Sequence, residues 1–394
     1  MKRYIITLAE TGENSQVQGA LARFRQVVSA SDQTQELGDI REYTHLRALG
    51  IVIALLTDAE VDELAQMEGV TSIEEDGEEH ILGVLEPSPR IRHISTVLWN
   101  MQMVRADLVW PTGRFGDGVK VAVIDTGIAP HHNLHVYGGR SFVAGVGYED
   151  DNGHGTHCAG IIAGKGRNNV FGVAPGAHLY AVKALNAAGS GSTSAIISGM
   201  NWCVENQMNV ISMSLGGLRG PDGAYITAIK RCHQNNVVVV CAAGNSFGSN
   251  FPWVNAPANS IDAADLFATP LAIASVNNQK VVAGSSSRGG QVALWNQVTL
   301  SAPGVSIYST HLNYGYATMS GTSMACPHVA GLAALVVEEY AGIAPAAVFA
   351  VMGSSASALG TLPAPNEPYG FGLIDCTGAL GIAQARMTLE RQPA

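Results

Sequence analysis

Residues 119–127 read Val119-Lys120-Val121-Ala122-Val123-Ile124-Asp125-Thr126-Gly127. The run from 119 to 125 shows almost no polar alternation. It predicts a strand covered on both faces, and strands of that kind belong in parallel sheets packed between helices. Four further runs, at 179–183, 210–215, 237–243 and 271–276, share the pattern. They alternate with helical stretches near 154–164, 193–207, 223–235 and 323–340. The order predicts an α/β fold with a doubly wound, mostly parallel sheet. Such sheets carry their chemistry outside the carboxyl ends of the strands, where Asp125 stands.

Upstream the periodicity changes. Residues 3–9 read as a strand, 15–30 as an amphipathic helix, 37–46 and 50–56 as strands, 58–68 as a second helix and 70–76 as a last strand. Thr57 and Glu60 form a capping-box signature at the start of the second helix. This β-α-β-β-α-β order predicts a small α+β unit of the split, ferredoxin-like type. Residues 77 to about 100, with Gly77-Glu78-Glu79 and Pro87-Ser88-Pro89, break the periodicity and read as an exposed linker. The chain is therefore expected to divide into 1–82, a connecting stretch 83–110, and a large unit 111–394.

Composition agrees with two folding units. Of 394 residues, 47% are apolar and 14% charged, enough to bury one large core and a smaller one. The net charge of −10 is uneven: residues 1–90 hold 17 acidic and 7 basic side chains, and the remainder holds 15 of each. That step leaves no basic surface for nucleic acid or anionic lipid. It fits either a solvated acidic face or acids placed against a partner module. No run of eighteen apolar residues exists, and Met1-Lys2-Arg3-Tyr4-Ile5-Ile6-Thr7 passes into polar sequence before a signal-peptide core could form. Six cysteines without a Cys-x-x-Cys pair suggest neither a disulfide scaffold nor zinc, and Cys158, Cys241 and Cys326 read as buried free thiols.

Three segments carry chemistry. Asp125, at a strand's end, suits a helix cap or a catalytic orienter. In Asn152-Gly153-His154-Gly155-Thr156-His157-Cys158-Ala159-Gly160 a histidine lies between glycines as a helix begins, where another backbone can approach closely. It reads as an ordinary helix-start histidine or as a base, and His157 three residues on is weak evidence for metal. In Ser320-Gly321-Thr322-Ser323-Met324-Ala325-Cys326-Pro327-His328 a serine meets a helix N-terminus. There it is a cap, or a nucleophile whose developing oxyanion the N–H groups would stabilise. Pro327 is expected in the first helical turn. No G-x-G-x-x-G or P-loop follows Ile124, which argues against a nucleotide-binding protein.

Together these segments resemble the Asp, His and Ser signatures of the subtilisin-like (S8) serine peptidases, in that family's chain order, over about residues 100–385. The resemblance implies Ser323 as nucleophile, His154 as general base and Asp125 as the carboxylate that fixes its tautomer. Cys241-Ala242-Ala243-Gly244-Asn245 is similar to the oxyanion-hole segment, implying that Asn245 and the Ser323 N–H bind the oxyanion. Gly189-Ser190-Gly191 and Ser214-Leu215-Gly216 resemble the two segments between which the family lays an extended substrate. The residue before the scissile bond (P1) would enter a slot lined by Ser214, Leu215, Gly216, Ala242, Ala243 and Gly244. No charge stands there, so broad specificity with an apolar P1 residue is expected. A silent binding protein of the same fold would lack a triad residue, and none is lost.

Residues 1–82 resemble the family's inhibitor-type (I9) propeptide, with Glu74-Glu75-Asp76 similar to its tail. A self-processing, monomeric zymogen is implied, with its prosegment as intramolecular inhibitor, proteins or peptides as substrates, and no nucleic-acid or membrane partner. Prosegment helices are expected to offer carboxylates to helix N-termini of the enzyme. Cleavage after Leu82 is expected, with Leu85 as second choice. The resemblance points to an extracellular enzyme; the absence of a signal-peptide pattern in this chain keeps a cytoplasmic one as the alternative. No cofactor is needed for the chemistry. Structural calcium is left open: the family commonly shows His-Pro-Asp-Leu where this chain has His131-His132-Asn133-Leu134, and a neutral Asn is a weaker ligand beside the loop 164–171. His131, His132 and His135 read as a solvated loop rather than a zinc site.

Overall fold

The computed structural model describes residues 1–9, 43–86, 97–262, 269–290 and 297–390. The helix expected at 15–30 and the first part of the strand expected at 37–46 lie outside them.

The N-terminal unit contains β1 (Lys2–Leu8), β2 (Thr44–Leu46), β3 (Ile51–Leu56), α1 (Asp58–Ala65) and β4 (Val70–Glu75), with sheet order β2-β3-β1-β4 and antiparallel neighbours throughout. The capping box at α1 forms: Thr57 accepts from the Glu60 N–H while the Glu60 carboxylate accepts from the Thr57 N–H. The sheet alternates. Tyr4, Ile6, Leu8, Val52, Ala54 and Leu56 build a small core with Leu64 of α1. Ile5 and Ile51 face the opposite way, into the core of the large unit.

The expected linker is the first correction. Its segments β5 (Glu78–Ile81) and β6 (Val84–Glu86) are strands, and Glu79 is fully buried. Charge and glycine concealed them, because each strand takes its partners from the large unit and has no apolar face of its own. Helix α2 (Trp99–Met103) follows the undescribed residues 87–96.

The large unit continues through β7 (Lys120–Asp125), β8 (Val136–Ser141), α3 (His154–Ala163), β9 (His178–Lys183), β10 (Ser190–Ser192), α4 (Thr193–Glu205), β11 (Val210–Met213) and β12 (Leu215–Gly216). Then come α5 (Gly223–Gln234), β13 (Val238–Ala242), β14 (Leu271–Val276), β15 (Leu300–Pro303), β16 (Ile307–Thr310), β17 (Tyr316–Ser320), α6 (Thr322–Glu339), α7 (Pro345–Ser355) and α8 (Cys376–Glu390). Seven of these strands form one all-parallel sheet in the order β15-β14-β13-β11-β7-β9-β8. On β7, Val121 and Val123 face a core shared with α3 and α6, while Ala122 and Ile124 face one shared with α4 and α5. This is the two-sided burial expected of the opening run. The two edge strands, β8 and β15, escaped the sequence reading. Val-Tyr-Gly-Gly-Arg-Ser and Leu-Ser-Ala-Pro lack a continuous apolar run, and Pro is tolerated at an edge.

The N-terminal sheet docks on α4 and α5, and its acids meet their N-termini. Asp76 accepts from the Ser194 N–H at 2.8 Å, and Glu74 accepts from the Gly223 and Ala224 N–H groups at 2.9 Å each. These carboxylates come from β4 and the residue after it rather than from helices as expected. All six cysteines are free and buried.

Candidate active site

Parallel packing brings the ends of β7, β11 and β13 beside the N-termini of α3 and α6. Asp125 closes β7 with its side chain fully buried, and its two carboxylate oxygens accept from His154 Nδ1 at 2.8 and 3.0 Å. With Nδ1 as donor, Nε2 of His154 is left as the acceptor nitrogen. His154 opens α3. Gly155 is required beside it, because a Cβ there would lie 2.2 Å from the Gly127 carbonyl oxygen. Asp150, which the sequence reading passed over, holds this turn: it accepts from the Asn152, Gly153 and Thr156 N–H groups at 2.9 Å each and from the Thr156 hydroxyl at 2.6 Å. An Asp four residues before a glycine-flanked His was the available signal.

Ser323 lies in the first turn of α6, fully buried. Its hydroxyl donates to the Ser214 carbonyl at 2.9 Å rather than to His154, and Nε2 of His154 has no hydrogen-bond partner among the described residues. Gly83 occupies the space in front of that nitrogen, where a Cβ would come within 2.9 Å of Nε2. Pro327 falls in the second turn of the helix, not the first as expected, because α6 begins at Thr322.

Asn245 follows β13. Its Oδ1 accepts from the Thr322 N–H at 2.9 Å and from the Thr322 hydroxyl at 3.1 Å. That pairing aims Nδ2 outward, where it donates to the Leu82 carbonyl, which the Ser323 N–H also reaches at 3.3 Å. Thr322 is thus a positioning residue the sequence reading missed; its place between Gly321 and Ser323 suggested only a helix start.

The chain approaching Leu82 runs extended. β5 pairs antiparallel with β10 through His80–Ser190, Glu79–Gly191 and Glu78–Ser192, and with β12 through Ile81–Leu215 and His80–Gly216. The Ile81 N–H donates to Gly189 at 2.9 Å and the Leu82 N–H to Ser214 at 3.3 Å. The Leu82 side chain lies beside Gly216, and Ala242, Ala243 and Gly244 are buried at the end of β13 leading into Asn245. Beyond Gly83, β6 pairs with β17.

Ligand atoms of Asp125, His154 and Cys158 lie within 4.8 Å of one another. They do not make a convincing metal site: burial pushes the Cys158 thiol well above its usual range, and its S–H points to the Ser323 carbonyl at 3.5 Å. His157 sets Nε2 on the Ile307 and Ala317 carbonyls of β16 and β17, and burial lowers its pKa to about 3. His131 meets the Tyr316 ring edge-on, His132 stacks on Tyr314 and His135 lies tilted against Tyr137, each histidine on a different tyrosine.

In the loop 164–171, where the resemblance suggested calcium, Asn133 bonds the backbone on both sides. Asn133 is fully buried; its Nδ2 donates to the Val170 carbonyl at 2.8 Å and its Oδ1 accepts from the Arg167 N–H at 2.8 Å. A donor N–H2 facing that carbonyl does not fit a hard cation at the same place, which would need both oxygens.

Comparison with known proteins agrees with this geometry. The Subtilase family model of peptidase S8 matches residues 116–372. The chain is 42% identical over 287 residues to subtilisin DY of Bacillus licheniformis, covering 72% of the chain and 98% of that protein. It is 34% identical over 369 residues to an alkaline protease of Shouchella clausii, covering 92% and 89%. With subtilisin E of Bacillus subtilis (strain 168) it shares 35% over 378 residues, covering 93% and 92%. A parallel sheet with these strand-end residues, matched along its length by such relatives, belongs to one group of enzymes: the chain is a member of the subtilase family of serine endopeptidases.

Proposed function

We propose that the chain is a self-processing zymogen whose catalytic triad is Asp125, His154 and Ser323, and that Asn245 and the Ser323 N–H form its oxyanion hole. The observation carrying this reading is the position of Leu82, whose carbonyl oxygen accepts from both Asn245 Nδ2 and the Ser323 N–H. A carbonyl so placed is polarised for attack by the adjacent serine.

Rotation of the Ser323 side chain from the Ser214 carbonyl toward His154 would let Nε2 take its proton as Oγ adds to the Leu82 carbonyl carbon. Asp125 holds the imidazole tautomer and stabilises the imidazolium. The charged oxygen is met by the two donors, and His154 then returns the proton to the Gly83 nitrogen as the peptide bond breaks. Water, activated in the same way, releases the acyl enzyme.

Residues 1–82 act as prosegment and inhibitor in this reading, with β5 holding the substrate grooves by main-chain pairing. The relationship to subtilisin E supports it, since that similarity covers 93% of the chain and extends well beyond 116–372. Main-chain pairing also supports broad specificity, with an apolar residue entering beside Gly216. We assign the active enzyme as a monomer that acts on proteins outside the cell; no helix among the described residues is long and apolar enough to cross a membrane. Labelling with a fluorophosphonate tests the triad: one adduct at Ser323 is expected after processing, and a labelled wild type whose adduct maps elsewhere would refute it.

A further inference from the structure

Glu79 lies three residues before Leu82, so it is the fourth residue upstream of the Leu82–Gly83 bond. Its side chain is fully buried, unusual for a carboxylate in a binding groove. The groups around it come from the large unit. Its Oε1 accepts from Arg219 Nη2, from the Thr193 hydroxyl at 3.1 Å and from the Tyr225 hydroxyl at 3.2 Å. The same Arg219 Nη2 also donates to Thr193 Oγ1 at 2.9 Å and to Asp222 Oδ2 at 3.2 Å, and the guanidinium lies 5.8 Å from the centre of the Tyr225 ring. Gly217 closes the wall: a Cβ there would lie 2.6 Å from Arg219 Nη1 and 2.8 Å from Glu79 Oε2.

We infer that Arg219, Thr193 and Tyr225 form a specificity subsite that selects a glutamate side chain four residues upstream of the scissile bond in protein substrates. The inference rests on the reading of Leu82 as the residue whose carbonyl is attacked. All three donors belong to the large unit, so the pocket is presented to any extended chain that replaces β5 between β10 and β12. An apolar side chain there would leave the fully buried Tyr225 hydroxyl without its acceptor and would take from the largely covered Arg219 guanidinium one of its two carboxylate partners, leaving Asp222 at 3.2 Å. A lysine would set two cations together in a desolvated pocket. Aspartate is one methylene too short to reach all three donors. Burial opposes ionisation of Glu79 and pushes its carboxyl up to about 7, while Arg219, Thr193 and Tyr225 each favour the charged form. The acid therefore keeps an acceptor oxygen toward the donors in either protonation state.

The test uses enzyme matured from the full chain and the anilides X-His-Ile-Leu, with X as Glu, Asp, Gln, Ala, Phe or Lys. At pH 6, below the raised pKa of the docked glutamate, the Glu peptide should exceed the Ala and Phe peptides in kcat/KM by roughly 10- to 100-fold, the worth of hydrogen bonds to a guanidinium in a covered site, and this advantage should narrow at pH 8. Gln should fall between, Asp below Glu, and Lys last. In Arg219→Ala the Glu-to-Ala ratio should collapse toward one, and Arg219→Glu should raise Lys above Glu. If all six peptides are cut after Leu by wild type with similar kcat/KM, the subsite is overturned and the active-site reading stands. If none is cut after Leu, that reading fails and the subsite with it.

Discussion

The Ser323 carbonyl receives no N–H donor from the residue four places on, because that residue is Pro327. The Ser214 hydroxyl supplies the bond instead at 2.8 Å, with the Cys158 thiol at 3.5 Å. Ser214 also offers its own carbonyl to the Ser323 hydroxyl and to the Leu82 N–H. A helix-breaking residue in α6 thereby ties the extended stretch at Leu82 to the first turn of α6, where Ser323 lies.

That tie predicts a cost for Ser214→Ala. The buried Ser323 carbonyl would keep only a weak sulfur donor, so stability should fall by about 1–3 kcal/mol. Urea denaturation of Ser214→Ala in a Ser323→Ala background, which prevents autolysis, checks it. An unchanged midpoint would show that the bond carries no weight.

Asn245→Ala should lower kcat by about 10²- to 10³-fold with little change in KM, the magnitude that removal of the corresponding donor in subtilisin itself set. Thr322→Val should give a smaller loss of the same kind, since it removes one of the two bonds that aim the Asn245 amide and keeps the Thr322 N–H at 2.9 Å. A change confined to KM in either variant would place Asn245 in substrate binding instead.

Because Asn133 already satisfies the loop 164–171, chelator should lower the melting temperature of the Ser323→Ala chain by less than roughly 10 °C. Asn133→Asp should be the less stable protein in chelator, since its carboxylate would face the Val170 carbonyl. A larger chelator effect on the Asn133 protein would reveal a tightly held cation.

How much of this was legible beforehand follows from where each signal resides. Asp125, His154, Ser323 and Asn245 stand in motifs whose spacing is local, so the sequence could bring them forward as candidates without knowing their distances. The central strands announce themselves because burial on both faces demands continuous apolar runs. Glu79 and Arg219 gave no such signal, since their meaning depends on a chain crossing between β10 and β12 that only the tertiary structure creates. β5 was hidden for the same reason. A charged strand looks like a linker until its partners are known, and β8 and β15 were hidden by their tolerance of glycine and proline at sheet edges.

On the proposed reading of residues 1–82 as an inhibitory prosegment, its docked form should bind more weakly as pH rises. In the docked state burial lifts Glu79 to about 7, against Arg219, Thr193 and Tyr225, and burial together with Asp222 lifts Glu74 to about 7. Both acids have higher pKa values docked than free, near 4.3, so docking takes up protons. The extra stability is fully present below the free value and disappears as pH passes through about 7. Inhibition by residues 1–82 should therefore weaken roughly tenfold or more from pH 5 to pH 8, and Glu79→Gln should flatten the profile. Tighter inhibition at pH 8 would reverse the sign and dismiss the account.

The bond to be cut can be argued from the same strand. Extended chain advances about 3.3 Å per residue, so the six residues 77–82 span roughly 20 Å, enough to lead from β4 to Ser323, the proposed nucleophile. The structure sets Leu82, and not Leu85, with its carbonyl between the Asn245 and Ser323 donors; Leu85, in β6, pairs with Met319 of β17 and is 58% exposed. Gly83 stands before Nε2 of His154, where a leaving nitrogen must be to receive a proton. Sequencing of the mature chain should therefore begin at Gly83, and Ser323→Ala alone should accumulate uncut. Gly83→Ala should process more slowly, because its Cβ would press within 2.9 Å of His154 Nε2. A mature chain beginning at Glu86 would move the register to Leu85 and require β6 to leave β17, and processing of Ser323→Ala at the normal rate would assign the cut to another protease.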